Sequence, residues 1–389
     1  MTDIADSEIG KGLRASAWLL YCLIVFEILF MVSPFALYYY SVYALPLNWL
    51  QQSVYTGWLT LHILPHFTYT TSLLSNTLLL VAWPLILSGL MLFFIGFVQI
   101  YWAKLTGKAN VEVGLYRYIR HPQYVALAIV GLGTSIYWSR FIVLIAYVTM
   151  LFLYYFLAAY EERVCLVKFG DTYRDYQTRT GMFLPKAWLG WMPNINFIPQ
   201  DSGKRVVAFA LLYATLVGAS VAFGWGFKHH LVNRMTLNSE SDTVLVALAP
   251  TSPETLAQIQ TILGNDDDYR AKRARYLPTQ ALGYVAPSSW TVPELGLLHP
   301  GGHRHSGMSA LLHPSIHGNS LDFDKNRITV LLTEPVLIDS ATRGKDTVLG
   351  TFGYIPKLKV ELDMRKGTVL SVSEEPYESQ WKGIPVPVY

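Results

Sequence analysis

The chain has 389 residues, of which 52% are hydrophobic and 15% are charged, and its formal net charge is +3. This small charge argues against a nucleic-acid partner, and the length allows about two or three domains. Both cysteines, Cys22 and Cys165, lie in the apolar half, so the polar half has no disulfide framework.

The apolar half of the chain, residues 1–230, predicts about five transmembrane helices, because it holds runs that are long enough to cross a bilayer and carry few charges. The predicted spans are residues 15–38, 76–101, 122–138, 141–160 and 206–227. Only two residues separate the third span from the fourth, which indicates a tight helical hairpin. Pro84 predicts a kink in the second span.

The distribution of lysine and arginine predicts the orientation of these spans. The loop at 39–75 has neither residue, whereas the segments 102–121 and 161–205 have many. Because basic segments stay on the cytoplasmic side, the N-terminus and both basic segments are expected to face the cytoplasm. Five spans would then place the C-terminal region in the periplasm, if the protein lies in a bacterial inner membrane.

The fold predicted from these patterns is a multi-span α-helical membrane protein with a C-terminal α+β extramembrane domain. Its predicted regions are 1–75 (first transmembrane helix and aromatic non-cytoplasmic loop), 76–203 (membrane core), 204–230 (additional transmembrane helix) and 231–389 (soluble α+β domain). In the last region, "DTVLVALAP" and "RITVLLTEPVLID" predict strands, and "SPETLAQIQTILG" predicts a helix with an N-terminal cap. Alternation on both sides of "RKG" predicts a hairpin.

Two polar clusters flank the predicted hairpin. "RYIRHPQYV" at 117–125 precedes it, and "EERVCLVKFGDTYRDYQ" at 161–177 follows it. The hairpin should return Glu161 and Glu162 to the membrane surface that holds His121. A pocket with both signs of charge and several aromatic rings suits a zwitterionic, adenine-containing ligand, and S-adenosylmethionine fits that description. The alternative interpretation is structural, with interfacial arginines and Pro122 at the first turn of a helix.

The combined pattern "GLYRYIRHPQYV", a hairpin, "EERVCLVKFGDTYRDYQ" and "FLP" resembles the isoprenylcysteine carboxyl methyltransferase family. That family includes related bacterial membrane methyltransferases and the phospholipid N-methyltransferases, and the resemblance covers roughly residues 76–186. The resemblance implies S-adenosylmethionine as the cofactor. By matching motif positions, it implies a cofactor site at Tyr116, His121, Pro122, Tyr124 and Glu161. Catalytic roles are predicted for Glu162 and Arg120.

The predicted function is methyl transfer to a lipophilic or membrane-associated acceptor, such as a membrane lipid. The eukaryotic prenylcysteine enzymes carry an arginine one helical turn before the first glutamate, where this chain has Leu157. This difference argues against a prenylcysteine carboxylate as the acceptor. Two alternatives stay open: a sterol-reductase-like enzyme that uses a nicotinamide dinucleotide, because "CLVKFG" is similar to a motif of those enzymes, and a non-catalytic subunit of a membrane complex.

The polar region also contains a histidine-rich stretch, "HPGGHRHSGMSALLHPSIHG", at 299–318. Imidazoles are ligands for zinc or copper, so His303, His305, His313 and His317 are candidate metal ligands. A solvated or partner-binding loop is the alternative. A second histidine pair, His62 and His66, has helical spacing, but Pro65 between them argues against a helical metal site.

Overall fold

The computed structural model describes residues 44–66, 68–106, 112–189, 202–240, 242–292, 295, 297 and 322–374. Its membrane part is helical, and its C-terminal part contains a six-stranded sheet. The predicted span at 15–38 and the candidate metal ligands at 303–317 lie outside the described residues.

Within the described residues, three helical segments are long and apolar enough to cross a membrane, namely Leu73–Ala103, Phe141–Phe169 and Gly203–Val232. The helices before the sheet are α1 (Ala44–Gln51), α2 (Val54–Gly57), α3 (Leu73–Leu105), α4 (Pro122–Tyr137), α5 (Phe141–Phe169), α6 (Asp171–Arg179), α7 (Lys186–Leu189) and α8 (Ser202–Val232). Short 3₁₀ helices cover Trp58–Thr60 and Gly114–Arg117. The predicted hairpin is therefore confirmed as α4 and α5.

The predicted number of about five spans is not confirmed. Helix α4 has only 16 residues. At about 1.5 Å per residue it is about 24 Å long, which is shorter than the hydrocarbon core of about 30 Å. The sequence prediction counted this short helix as a full span, 122–138, because its composition is as apolar as that of the longer helices.

Helices α3 and α4 pack with their backbones almost in contact, because each contributes a glycine where they meet. A Cβ on Gly133 would lie 2.7 Å from the carbonyl oxygen of Ala82. A Cβ on Gly89 would lie 2.8 Å from the carbonyl oxygen of Ala126. Small residues permit this close approach in membrane helices. The pair thereby fixes where α4 begins, which is where the polar motif lies.

We predict that Gly133→Ala lowers the thermal unfolding midpoint of the detergent-solubilised protein. The new methyl group meets rigid backbone, and overpacking of this kind costs roughly 1–3 kcal/mol, more than the helix-propensity gain of up to about 1 kcal/mol. Gly218→Ala is the control, because a Cβ on Gly218 meets nothing within 4 Å. A Gly133→Ala protein as stable as the Gly218→Ala protein would contradict the close packing.

The C-terminal sheet follows the order of its strands in the chain, from β1 to β6. The strands are β1 (Leu237–Glu240), β2 (Thr243–Ala247), β3 (Ala281–Pro287), β4 (Arg327–Leu337), β5 (Thr351–Asp363) and β6 (Thr368–Glu374). Only β2 and β3 pair in parallel. Parallel neighbours need a crossover, and here it consists of α9 (Pro253–Asn265) and α10 (Asp267–Tyr276).

Both faces of the sheet are covered by apolar side chains. Leu256, Ile259 and Leu263 of α9 are buried against one face. The opposite face packs against Val232 and Met235, which come from the end of α8 and the residues just after it. The predicted strands, the helix capped by Ser252 and the final hairpin are confirmed, whereas β1, β3 and α10 were not predicted.

The sheet rests on the beginning of helix α5. Phe352 of β5 is buried in one cluster with Phe141, Leu61 and Ile63. The amide of Gln51 donates to the backbone oxygen of Phe352 at 2.7 Å. The short helix α11 (Asp346–Gly350) precedes β5. Because Glu161 lies twenty residues after Phe141 on the same helix, the sheet and the predicted pocket are about 30 Å apart along α5.

Candidate functional site

The loop that leads into the polar motif is held by helix α3. Gly114 has φ +62°, which favours glycine, and a Cβ there would collide with the side chain of Gln99. The Gln99 side-chain oxygen accepts a hydrogen bond from the backbone N–H of Leu115 at 3.1 Å. Farther along, the Tyr176 hydroxyl donates to the backbone oxygen of Tyr116 at 2.6 Å. Gln99 was not among the predicted site residues, because it lies on α3, outside the two polar clusters.

The polar motif at 117–125 is held in place by backbone hydrogen bonds to the residues that follow helix α6. The backbone N–H of Arg120 donates to Gly181 O at 2.9 Å, and that of His121 donates to Met182 O at 3.1 Å. His121 then caps α4, and Pro122 occupies the first turn, as predicted. The segments on either side of the hairpin therefore meet at one membrane-proximal end.

Glu162 is the centre of a buried polar network. Its Oε1 lies 2.6 Å from Arg120 Nε and 3.3 Å from His121 Nε2, and its Oε2 accepts from Gln177 Nε2 at 2.8 Å. The Arg120 and Glu162 side chains are each only 10% exposed. Arg120 also donates through Nη1 to the backbone oxygen of Thr180. Both charged groups are therefore occupied by bonds within the protein.

We predict that Arg120→Leu strongly destabilises the protein. Removing one partner of a buried pair leaves an uncompensated charge on Glu162 and costs roughly 3–5 kcal/mol. Arg174→Leu is the matched control, because Arg174 pairs with Asp171 while their side chains are 72% and 91% exposed. Chemical denaturation in detergent should show a large loss for the first variant and about 0–1 kcal/mol for the second. Equal losses would contradict the central role of this pair.

Glu161 differs from its neighbour because its side chain is 40% exposed. The Tyr124 hydroxyl donates to Glu161 Oε1 at 2.5 Å. His121 Nδ1 lies 3.4 Å from Oε2. The Tyr124 ring also stacks with the His121 ring at 5.4 Å and with the Tyr154 ring at 4.8 Å between centroids. Glu161 is thus an oriented carboxylate that a ligand can still reach.

The imidazole of His121 bridges the two glutamates, and this position affects its protonation. Burial lowers the pKa of His121, but the hydrogen bonds that the imidazole donates to Glu161 and Glu162, together with the charges of these carboxylates, outweigh burial. The net result is a pKa above the ordinary value of 6.5. The folded state therefore favours the protonated form.

We predict a pH-dependent stability difference between the wild-type protein and His121→Asn. A raised pKa contributes stability that is fully present below about 6.5 and is lost as the pH rises through the folded-state pKa. The wild-type advantage in free energy of unfolding should therefore be largest at acidic pH and shrink towards alkaline pH. Denaturation series at several pH values measure it. A difference that stays constant, or grows with pH, would contradict the bridging role.

Two further polar groups lie beside the motif without a hydrogen-bond partner in the described part of the chain. They are the Tyr116 hydroxyl and the Gln123 side-chain nitrogen, and both are buried. Tyr116 was a predicted cofactor residue, whereas Gln123 was not predicted, because it fills the variable position between Pro122 and Tyr124. Unpartnered buried groups are costly, so both are suited to bonding a ligand.

An apolar wall adjoins these polar groups. Leu157, Phe93 and Phe183 pack against a buried cluster that includes Tyr124. Leu157 stands where the eukaryotic prenylcysteine enzymes have an arginine. The site therefore presents the partly exposed carboxylate of Glu161 and an apolar surface. Its arginine, Arg120, is bound to Glu162.

Of the two histidine groups in the sequence, the structure describes only the pair His62 and His66, which the sequence did not favour as a metal site. Among the described residues, no group of three or more metal-binding side chains comes together. The rings of His62 and His66 are 5.5 Å apart, without a third candidate ligand. His303, His305, His313 and His317 lie outside the described residues, so their metal site stays a prediction.

The fold and the site together define a multi-span helical membrane protein with a polar cluster at one end of a helical hairpin. Residues 75–172 match the model of the phospholipid methyltransferase family. This match covers about a quarter of the chain and includes the predicted cofactor residues. It confirms the resemblance found in the sequence and supports a membrane methyltransferase. No curated protein and no solved structure matches the chain.

Proposed function

We propose that the protein transfers a methyl group from S-adenosylmethionine to a lipophilic or membrane-associated acceptor. The observation that carries the proposal is the half-exposed Glu161 carboxylate, which Tyr124 and His121 orient within the segment that matches the methyltransferase family. S-adenosylmethionine supplies an activated methyl group on a sulfonium sulfur when it is bound.

The donors and acceptors at the site fit this cofactor. Glu161 would accept hydrogen bonds from its ammonium group or ribose hydroxyls. The Tyr116 hydroxyl, which is buried and has no partner in the described residues, would bond a further polar atom. Tyr124 would keep the Glu161 carboxylate in place through its hydrogen bond. Pro122 would keep the beginning of α4 in place as the first residue of that helix.

We propose that Arg120 and Glu162 position the other groups. Catalytic roles for these two residues were predicted from the sequence and stay a prediction. Their mutual bond, and the bonds to His121 and Gln177, support a positioning role instead. Methyl transfer depends more on alignment and exclusion of water than on acid–base chemistry. A rigid buried network serves such alignment.

The acceptor would reach the site from the membrane along the apolar wall. Leu157 offers no charge to a carboxylate, so we propose an acceptor whose reacting end is not a carboxylate. Phe93 and Phe183 would contact its apolar part.

We further propose that this end of the helices faces the cytoplasm of a bacterial inner membrane, because the basic segments lie there. The sheet would then be periplasmic. If the protein has partner subunits in a membrane complex, they would contact either the sheet or the lipid-facing surface of the helices.

The test is binding of S-adenosylhomocysteine to the full chain in nanodiscs, measured by calorimetry. Wild-type protein should bind, and Glu161→Ala and His121→Ala should weaken binding by roughly ten- to a hundredfold, as expected for lost hydrogen bonds to charged groups. Glu361→Ala is the control, since Glu361 lies on β5 of the distant sheet. Absence of binding to the wild-type protein would contradict the proposal and favour a non-catalytic subunit of a membrane complex.

A further inference from the structure

Gln123 has an unsatisfied side chain in a buried position. It is only 7% exposed, and its nitrogen has no hydrogen-bond partner in the described part of the chain. Glutamine at this place is costly unless something bonds to it, because a buried donor loses its bonds to water. Packing alone would be served better by an apolar residue of the same size.

The Gln123 side chain packs against helix α3 at Gly96. A Cβ on Gly96 would lie 3.1 Å from Gln123 Cγ and 3.8 Å from the Tyr116 hydroxyl oxygen. The Gln123 side chain and the Tyr116 hydroxyl, which has no partner among the described residues, thus converge on one point of α3. A residue larger than glycine at position 96 would press on the Gln123 side chain.

The contact of Gln123 with α3 and the bond of Tyr124 to Glu161 lie on two sides of the first turn of α4. Gln123 reaches towards α3, whereas the next residue, Tyr124, reaches towards α5 and bonds Glu161. A ligand that lies across the beginning of α4 would have the amide on one side and the carboxylate on the other.

We infer that the Gln123 amide recognises the adenine edge of S-adenosylmethionine, with the Tyr116 hydroxyl beside it. The inference rests on the proposed function. A primary amide presents a donor N–H beside an acceptor oxygen in one plane, which matches the N6 amino group and N7 of adenine, whereas hypoxanthine presents two acceptors, O6 and N7, at the same edge. Either orientation of the amide offers this pair. The site would therefore discriminate between purines.

The experiment compares S-adenosylhomocysteine with S-inosylhomocysteine, in which a carbonyl replaces the 6-amino group. Dissociation constants are measured by calorimetry on the full chain in nanodiscs. Wild-type protein should bind the adenosyl form at least about tenfold more tightly, as expected for a bidentate amide contact. Gln123→Leu should bring the two constants close together, mainly by weakening the adenosyl form.

A matched control uses Gln260, whose side-chain oxygen also lacks a hydrogen-bond partner among the described residues but which lies on α9 of the sheet domain. Gln260→Leu should leave the ratio unchanged. Gly96→Ala should weaken binding of S-adenosylhomocysteine, because its methyl group would press on Gln123 Cγ at 3.1 Å and displace the amide. Gly218→Ala, with nothing within 4 Å, should not weaken binding.

The outcomes separate this inference from the proposed function. If wild-type protein binds both ligands equally, or if Gln123→Leu keeps the wild-type ratio, the adenine contact is wrong while methyltransferase function stands. If wild-type protein binds neither ligand, both the proposed function and the adenine contact fail.

Discussion

The structure around the site depends on one constraint, which is that a carboxylate buried at the end of an apolar helix must be neutralised. Glu162 ends the apolar part of α5, and its side chain is only 10% exposed. An isolated charge there would be very costly. Arg120 from the chain before α4 and Gln177 from α6 bond it. The same contacts therefore fix three separate segments to one another.

This network lets two consecutive glutamates act differently. Successive residues of a helix point about 100° apart, so Glu161 turns away from the buried side that Glu162 occupies. Its carboxylate remains accessible, yet Tyr124 and His121 hold its orientation. Such preorganisation matters in a reaction that gains from alignment. The rigid network and the reachable carboxylate depend on each other through the imidazole of His121.

Helix α5 also separates the site from the C-terminal sheet. The sheet packs on Phe141 at the beginning of this helix, and the glutamates lie near its end, about 30 Å away. The sheet therefore contributes no side chain to the polar cluster. Its contacts with Gln51 and with the residues after α8 join it to the helical part at several points of the chain.

The sequence by itself determined the apolar helices, the hairpin and the residues of the two polar clusters, because hydrophobic periodicity and a paired motif are local signals. It also predicted the strands that alternate most clearly. Only the tertiary structure decided that α4 packs backbone against backbone on α3, that Arg120 is occupied by Glu162, and that Gln99 holds the loop before the motif while Gln123 turns towards α3. These features arise from contacts between residues that are distant in the chain. A sequence pattern indicates what a residue can bond, but packing decides which partner it meets.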